Sequence, residues 1–298
     1  MKAIKRDLQE RFDRFVEDVK AVVHAHSDKT AGDLFMDSAV ADDLRHFAFV
    51  AGGAVVSAVR GEEPNDLDVF FTNPDACARV VRALLEIMCR GGTAPKVEIF
   101  GDRVTLSEGV TRSGVEVLDD GQEVIRVADN PRPGTPILAT RNALTLAGGY
   151  QLVLVKTGPA EQVMETFDWR HCRMAYEPSP AAGLPVGNLI LDPAAVLCAT
   201  RRVLEFCGSA YPLASLLRMR KYVERGWTAG AGEVLKMALA LAGARLDLPA
   251  NLQTQLWGVD IGAYLGILEA MEKDSGMGIR ELNNVLDADR SGPAWRSI

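Results

Sequence analysis

One stretch constrains the folding of this chain more than any other: residues 49–71, FVAGGAVVSAVRGEEPNDLDVFF. An apolar run ends at Gly52-Gly53, a short helix-compatible segment follows, and a second apolar run carries Asp66 and Asp68 on either side of Leu67. Apolar runs bounded by turn residues read as strands, so the stretch predicts strand, glycine turn, short helix, strand. Side chains alternate along a strand, and Asp66 and Asp68 therefore leave it on the same side. Two hard oxygen donors placed together suit a divalent cation. A glycine pair ahead of a helix lets backbone N–H groups approach a phosphate, with the helix dipole adding to the attraction. The pattern points to a site for Mg²⁺ and a nucleoside triphosphate.

Each half alone has an ordinary reading. Glycine pairs are usually turns, and Asp-x-Asp on a strand is commonly a solvated pair or a sugar-nucleotide metal site. The order of the two halves, the twelve residues between Gly53 and Asp66, and the apolar flanks Phe49-Val50 and Val69-Phe70-Phe71 make the combination more specific. On these residues the chain resembles the nucleotidyltransferase superfamily typified by DNA polymerase beta and the CCA-adding enzymes. That signature is an apolar residue, Gly-Gly or Gly-Ser, a spacer, then acidic residues alternating with apolar ones. Ala51-Gly52-Gly53 and Asp66-Leu67-Asp68-Val69 supply its parts, while Ala54 stands where many members carry Ser and Ser57 is a displaced substitute.

The resemblance implies an α/β (α+β) palm-like mixed sheet with helices. It also implies Mg²⁺ or Mn²⁺ held by Asp66 and Asp68, and a triphosphate held at Gly52 and Gly53. Two-metal phosphoryl transfer calls for a third carboxylate. Asp168, in Phe167-Asp168-Trp169, is the favoured candidate, and Glu98, in Val97-Glu98-Ile99, competes with it. Asp168 is favoured because Asn142-Ala143-Leu144-Thr145, Gln151-Leu152-Val153-Leu154, Gly158-Pro159 and Phe167-Asp168-Trp169-Arg170-His171-Cys172 follow the order found in bacteriophage-encoded nucleotidyltransferase-like proteins.

Arg218, Lys221, Tyr222 and Arg225 share one helical face by their spacing, and a phosphate could be held there. The same phage-type relatives carry an Arg-x-x-Lys-Tyr-x-x-Arg-Gly element, which implies triphosphate or acceptor contacts for Arg218 and Lys221 and base stacking for Tyr222. A solvated basic helix is the alternative. Lys156 and Asn142 could touch nucleotide but read more readily as structural, and His171 is not placed in the catalytic set.

Beyond this core, apolar residues at three-to-four spacing from Leu8 to Val23 predict an N-terminal amphipathic helix. Helices are expected at 31–44 and 75–90, and strands at 46–50, 97–100, 103–106, 115–118, 123–127 and 151–156. The Pro/Gly-rich segment 177–187 reads as a linker. It separates a catalytic domain with an N-terminal helix, 1–178, from an all-helical C-terminal domain, 188–298, with helices at 193–206, 213–225, 233–246 and 263–273.

Five cysteines without a Cys-x-x-Cys pair argue against a disulfide framework or structural zinc. No apolar run is long enough to span a bilayer, so no membrane partner is expected and a cytoplasmic location is. A net charge of −7 disfavours wholesale nonspecific nucleic-acid binding but permits a local basic patch. The leading expectation is transfer of a nucleoside monophosphate from an NTP to an acceptor hydroxyl, with an RNA 3′ end favoured and a protein hydroxyl open. Thr140-Arg141-Asn142-Ala143 lacks the acidic residue of the corresponding CCA-adding segment, which weighs against a tRNA-specific acceptor. A noncatalytic nucleotide-binding or structural phage protein retaining the fold is the alternative.

Overall fold

A computed structural model of the protein describes residues 1–26, 31–89, 94–106, 111–112, 115–117, 123–125, 131–180, 187–246, 248, 251 and 255. The amphipathic N-terminal pattern forms α1 (Lys2–His26), and α2 (Ala31–Phe47) leads into β1 (Ala48–Ala51), α3 (Gly53–Arg60) and β2 (Leu67–Phe71). Next come α4 (Pro74–Met88), β3 (Val97–Phe100), β4 (Arg103–Leu106), β5 (Thr111–Arg112), β6 (Val115–Val117) and β7 (Glu123–Ile125). β8 (Pro136–Ala139), β9 (Ala143–Leu146), β10 (Tyr150–Val153), α5 (Ala160–Glu165), a 3₁₀ turn at Arg170–Cys172, β11 (Met174–Glu177), β12 (Asn188–Leu191) and α6 (Pro193–Arg201) follow. The described chain then runs through β13 (Val203–Leu204), α7 (Pro212–Glu224), β14 (Thr228–Ala229) and α8 (Ala231–Gly243).

Two compact units divide these elements, one of residues 1–167 and 171–200, the other of 168–170 and 201–298. The first is built on a mixed eight-stranded sheet in the order β12-β11-β1-β2-β10-β9-β8-β5. β1 lies antiparallel to β2 and β11, and β10 runs parallel to β2. The register places Tyr176, Val50, Val69, Leu152 and Leu144 in one row, and all five are buried.

α1 covers that face. Its Phe15 ring meets Tyr150 edge-on at 5.1 Å, Tyr150 Oη donates to Asp18 Oδ2 at 2.7 Å, and Tyr176 Oη donates to Gln9 Oε1 at 2.8 Å. On the opposite face, Ala160, Val163 and Met164 of α5 cluster with Phe49, Ala51, Phe70 and Ala175.

α4 starts where Asn73 accepts hydrogen bonds from the N–H groups of Asp75 and Ala76, with Pro74 in the first helical turn. The helix buries Cys77 completely, and burial pushes that thiol up from 9.0 to about 12. Alkylation at pH 8, followed by mass spectrometry, should leave Cys77 unmodified until denaturant opens the fold. The native thiol keeps a proton that the unfolded one gives up, so this group makes stability fall as pH rises from 9.0 towards about 12.

Three sequence expectations change. α2 continues through His46 to Phe47, so β1 begins two residues later than predicted; His46 Nδ1 lies 2.8 Å from the carbonyl of Asp42 in the preceding turn. The segment expected to link two domains instead joins β11 to β12, which pair from Met174↔Leu191 to Glu177↔Asn188, and the units divide near 168 and 200. Among its described residues the second unit combines helices α7 and α8 with β13 and β14, which pair in parallel. The helix expected at 263–273 lies outside the described residues, as do the ends of the strands expected at 115–118 and 123–127. Among the described residues no helix is long and apolar enough to cross a membrane.

Candidate functional site

β1 ends at a turn that only glycine makes comfortably. Gly52 has φ 78° and ψ −135°, caps α3, and donates its N–H to Met174 O at 3.0 Å. A Cβ placed at Gly52 would sit 3.7 Å from Phe167 Cε2 and 4.0 Å from Asp68 Oδ2, and one at Gly53 would meet nothing within 4 Å. The backbone is thus open at Gly53, while Gly52 is buried beside Phe167 and the Asp68 carboxylate. The N–H groups of the first helical turn have no intrahelical acceptors, and the helix begins to satisfy itself where Val56 N–H reaches Gly52 O at 3.1 Å. Ala54 is buried and Ser57 half-buried a turn further along α3.

β2 carries Asp68, and Asp66 stands just ahead of it. Leu67 and Val69 are buried against the helices, so Asp68 belongs to the opposite face, where it is half-buried; Asp66, just ahead of the strand, is exposed. Leu67 N–H donates to Gly149 O at 2.7 Å, and a Cβ on Gly149 would lie 3.0 Å from Asn65 O, so the Asp66 backbone is held against the β9–β10 turn. Arg11 and Arg14 of α1 line the hollow beside Asp66 and Gly149. Arg11 is fixed by Asp7 at 3.0 Å and Glu63 at 2.7 Å; these partners, the hydrogen bond to Asp7 foremost, raise its pKa above the usual value.

Asp68 continues into a polar row across the sheet. Gln151 is its register partner on β10, Thr145 is that of Gln151 on β9, and Gln151 Nε2 donates to Thr145 Oγ1 at 3.3 Å. Both side chains are half-buried. Gln151 and Thr145 have no site signature in the sequence, because the pairing of β10 with β2 cannot be read from local pattern. Glu98 is exposed on β3, opposite Thr105 in a separate two-stranded ladder. Lys156 is ion-paired with Asp102. His171 is fully buried.

Among the described residues no three His, Cys, Asp or Glu side chains gather as a metal cage. The donors that share one row of the sheet, the Asp68 carboxylate, the Gln151 amide and the Thr145 hydroxyl, offer hard oxygens, and Asp66 adds a second carboxylate just ahead of β2. They fit Mg²⁺ or Mn²⁺ in chemistry, and the exposed Gly53 at the start of α3 leaves room for a ligand.

Asp168, Arg218, Lys221 and Tyr222 lie in the second unit. Asp168 and Arg218, assigned separately to metal and triphosphate, are brought to each other. Arg218 donates from Nε at 2.9 Å and Nη2 at 2.7 Å to Asp168 Oδ2, and the Asp168 carbonyl accepts from Cys207 N–H at 2.8 Å. Lys221 is exposed, and Tyr222 packs its ring on Trp227 with centroids 5.7 Å apart.

The Asp168 side chain is 12% exposed and that of Arg218 43%, so the two halves of the pair should be unequal under mutation. Arg218→Ala strands a buried carboxylate and should cost about 2–3 kcal/mol in urea unfolding. Asp168→Asn leaves a cation that water can solvate and should cost about 1 kcal/mol. Equal losses would contradict this account.

The family model described as Gabija anti-defense 2 family protein matches residues 14–195. A protein of Bacillus phage SPbetaL7, named Gabija anti-defense 2, is 24% identical over 253 residues, covering 82% of this chain and 51% of its own length. The chain thus spans about half the length of that relative. Similar solved structures include the Thermotoga maritima CCA-adding enzyme complexed with tRNA_CCA, at 12% identity and TM-score 0.41, covering 90% of this chain and 65% of that one. The Bacillus stearothermophilus CCA-adding enzyme in complex with CTP has 14% identity and TM-score 0.36, covering 78% of this chain and 50% of its own. With the family model matching more than half of its length, the chain belongs to the Gabija anti-defense 2 family.

Proposed function

We propose that the first unit is a divalent-metal-dependent nucleotidyltransferase of the superfamily that the sequence resembles, and that the action against Gabija for which the family is named runs through nucleotidyl transfer in the host cytoplasm. The observation that carries this reading is the half-buried Asp68 carboxylate beside the Gly52 turn, next to the exposed Gly53 at the start of α3.

Asp66 and Asp68 would hold Mg²⁺ or Mn²⁺, which when bound supplies charge neutralisation at the triphosphate and a lowered pKa at the acceptor hydroxyl. Gly52, Gly53 and the first-turn N–H groups of α3 offer hydrogen bonds to phosphate oxygens, and the helix N-terminus favours their negative charge. Phe70 and Phe167, whose ring centroids lie 5.5 Å apart, place an apolar wall at the same end of the sheet and restrict water there. The acceptor oxygen attacks the α-phosphorus, the bond from that phosphorus to the bridging oxygen breaks, pyrophosphate leaves, and the acceptor proton passes to solvent. The chain's contribution is mainly positioning and electrostatic stabilisation of the transferred group. Asp168, Arg218, Lys221 and Tyr222 carry no part of this argument, which rests on first-unit residues.

An RNA 3′ end is the first acceptor to test and a protein hydroxyl the second. Purified protein incubated with each α-labelled NTP, Mg²⁺ or Mn²⁺, and total RNA or cell lysate should move label into one acceptor class, and a chelator should stop it. Nucleotide binding with no transfer to any acceptor would replace this reading with a noncatalytic nucleotide-binding one.

A further inference from the structure

We propose that Gln151 is a third sheet-borne oxygen donor of the Asp66–Asp68 site, a neutral amide carbonyl beside the two carboxylates. The inference rests on the metal site proposed above and deepens it. β10 is the parallel neighbour of β2, and its register sets Gln151 against Asp68. Strands lie about 4.8 Å apart, well within the reach of two such side chains across one row. Alternation fixes the face: Tyr150 and Leu152 are both buried, with Tyr150 against Phe15 of α1, so Gln151 between them emerges on the face of Asp68.

The hydrogen bond of Gln151 decides which amide atom is left. Its Nε2 donates to Thr145 Oγ1 on β9 at 3.3 Å. In the sheet order β2-β10-β9, that bond commits the amide nitrogen to the β9 side and leaves the carbonyl oxygen as the amide atom available to a cation beside Asp68. Thr145 is then a positioning residue that holds the amide in one orientation. The chemical consequence is charge. Two carboxylates and an amide give the sheet-borne donors a formal charge of two negatives rather than three, which weakens the grip on bare metal and reduces repulsion of an incoming triphosphate.

Mn²⁺ binding to the full chain, read by loss of the free-ion EPR signal, tests this apart from catalysis. Asp68→Ala should abolish binding, Gln151→Ala should weaken it about tenfold, and Gln151→Glu should tighten it in the absence of nucleotide. The gain in Gln151→Glu cannot come from unfolding, and circular dichroism of each variant checks the fold. If Asp68→Ala loses Mn²⁺ while both Gln151 variants bind as wild type does, Gln151 is no ligand and the metal site stands without it. If Asp68→Ala itself binds like wild type, the metal site falls and this inference falls with it.

Discussion

Asp68→Ala should lower nucleotidyl transfer by on the order of a thousandfold or more while the protein remains folded. The size follows from position: Asp68 lies on a strand whose other face is buried against helices, next to the Gly52 turn, so its carboxylate is held still where phosphate charge would be neutralised. The fold should tolerate the change because the side chain is only half-buried, between Leu67 and Val69, which hold the strand in the core. Thermal unfolding should therefore move little. Asp68→Asn keeps the shape and removes the charge, and it should lose nearly as much activity as Asp68→Ala. Transfer at the wild-type rate in either variant, measured with saturating metal and labelled NTP, would sink the catalytic reading.

The part of the site legible in the sequence was the part encoded locally. Ala51 to Val69 is a single chain segment, and alternation with glycine geometry sufficed to set the Gly52 turn and the face of Asp68, while Asp66 falls just ahead of the strand. Gln151 escaped because its place depends on β10 running parallel to β2, a pairing between residues more than eighty positions apart. Asp168 and Arg218 were read as functional singly, since nothing in a linear pattern announces an ion pair across fifty positions. The supposed linker misled for a physical reason as well. Pro and Gly mark chain reversal as readily as domain separation, and here the reversal returns Asn188 to pair with Glu177. The α2 boundary shifted because His46 and Phe47 keep the helical backbone despite an apolar run that looked extended.

Gly134→Ala should be the most destabilising of the single-methyl additions considered, by about 3–5 kcal/mol, lowering the first unit's melting temperature by roughly 10 °C. Gly134 has φ 84°, which alone costs an alanine about 1–2 kcal/mol. Its added Cβ would also lie 2.7 Å from Asp18 C, 2.8 Å from Asp18 O and 2.9 Å from Val19 N, all backbone atoms of α1. Neither side can move cheaply. Gly134 N–H is tied to Ala147 O at 2.8 Å, and α1 is pinned at this level by buried Phe15, Val16 and Val19 and by the Tyr150 hydrogen bond to Asp18. Gly101→Ala separates the two contributions, because Gly101 has φ 61° with nothing within 4 Å of its added Cβ and should lose only the backbone cost. Equal losses in the two variants, measured by urea unfolding of the full chain, would show that α1 yields to the methyl group and does not pack on the sheet as tightly as its buried face implies.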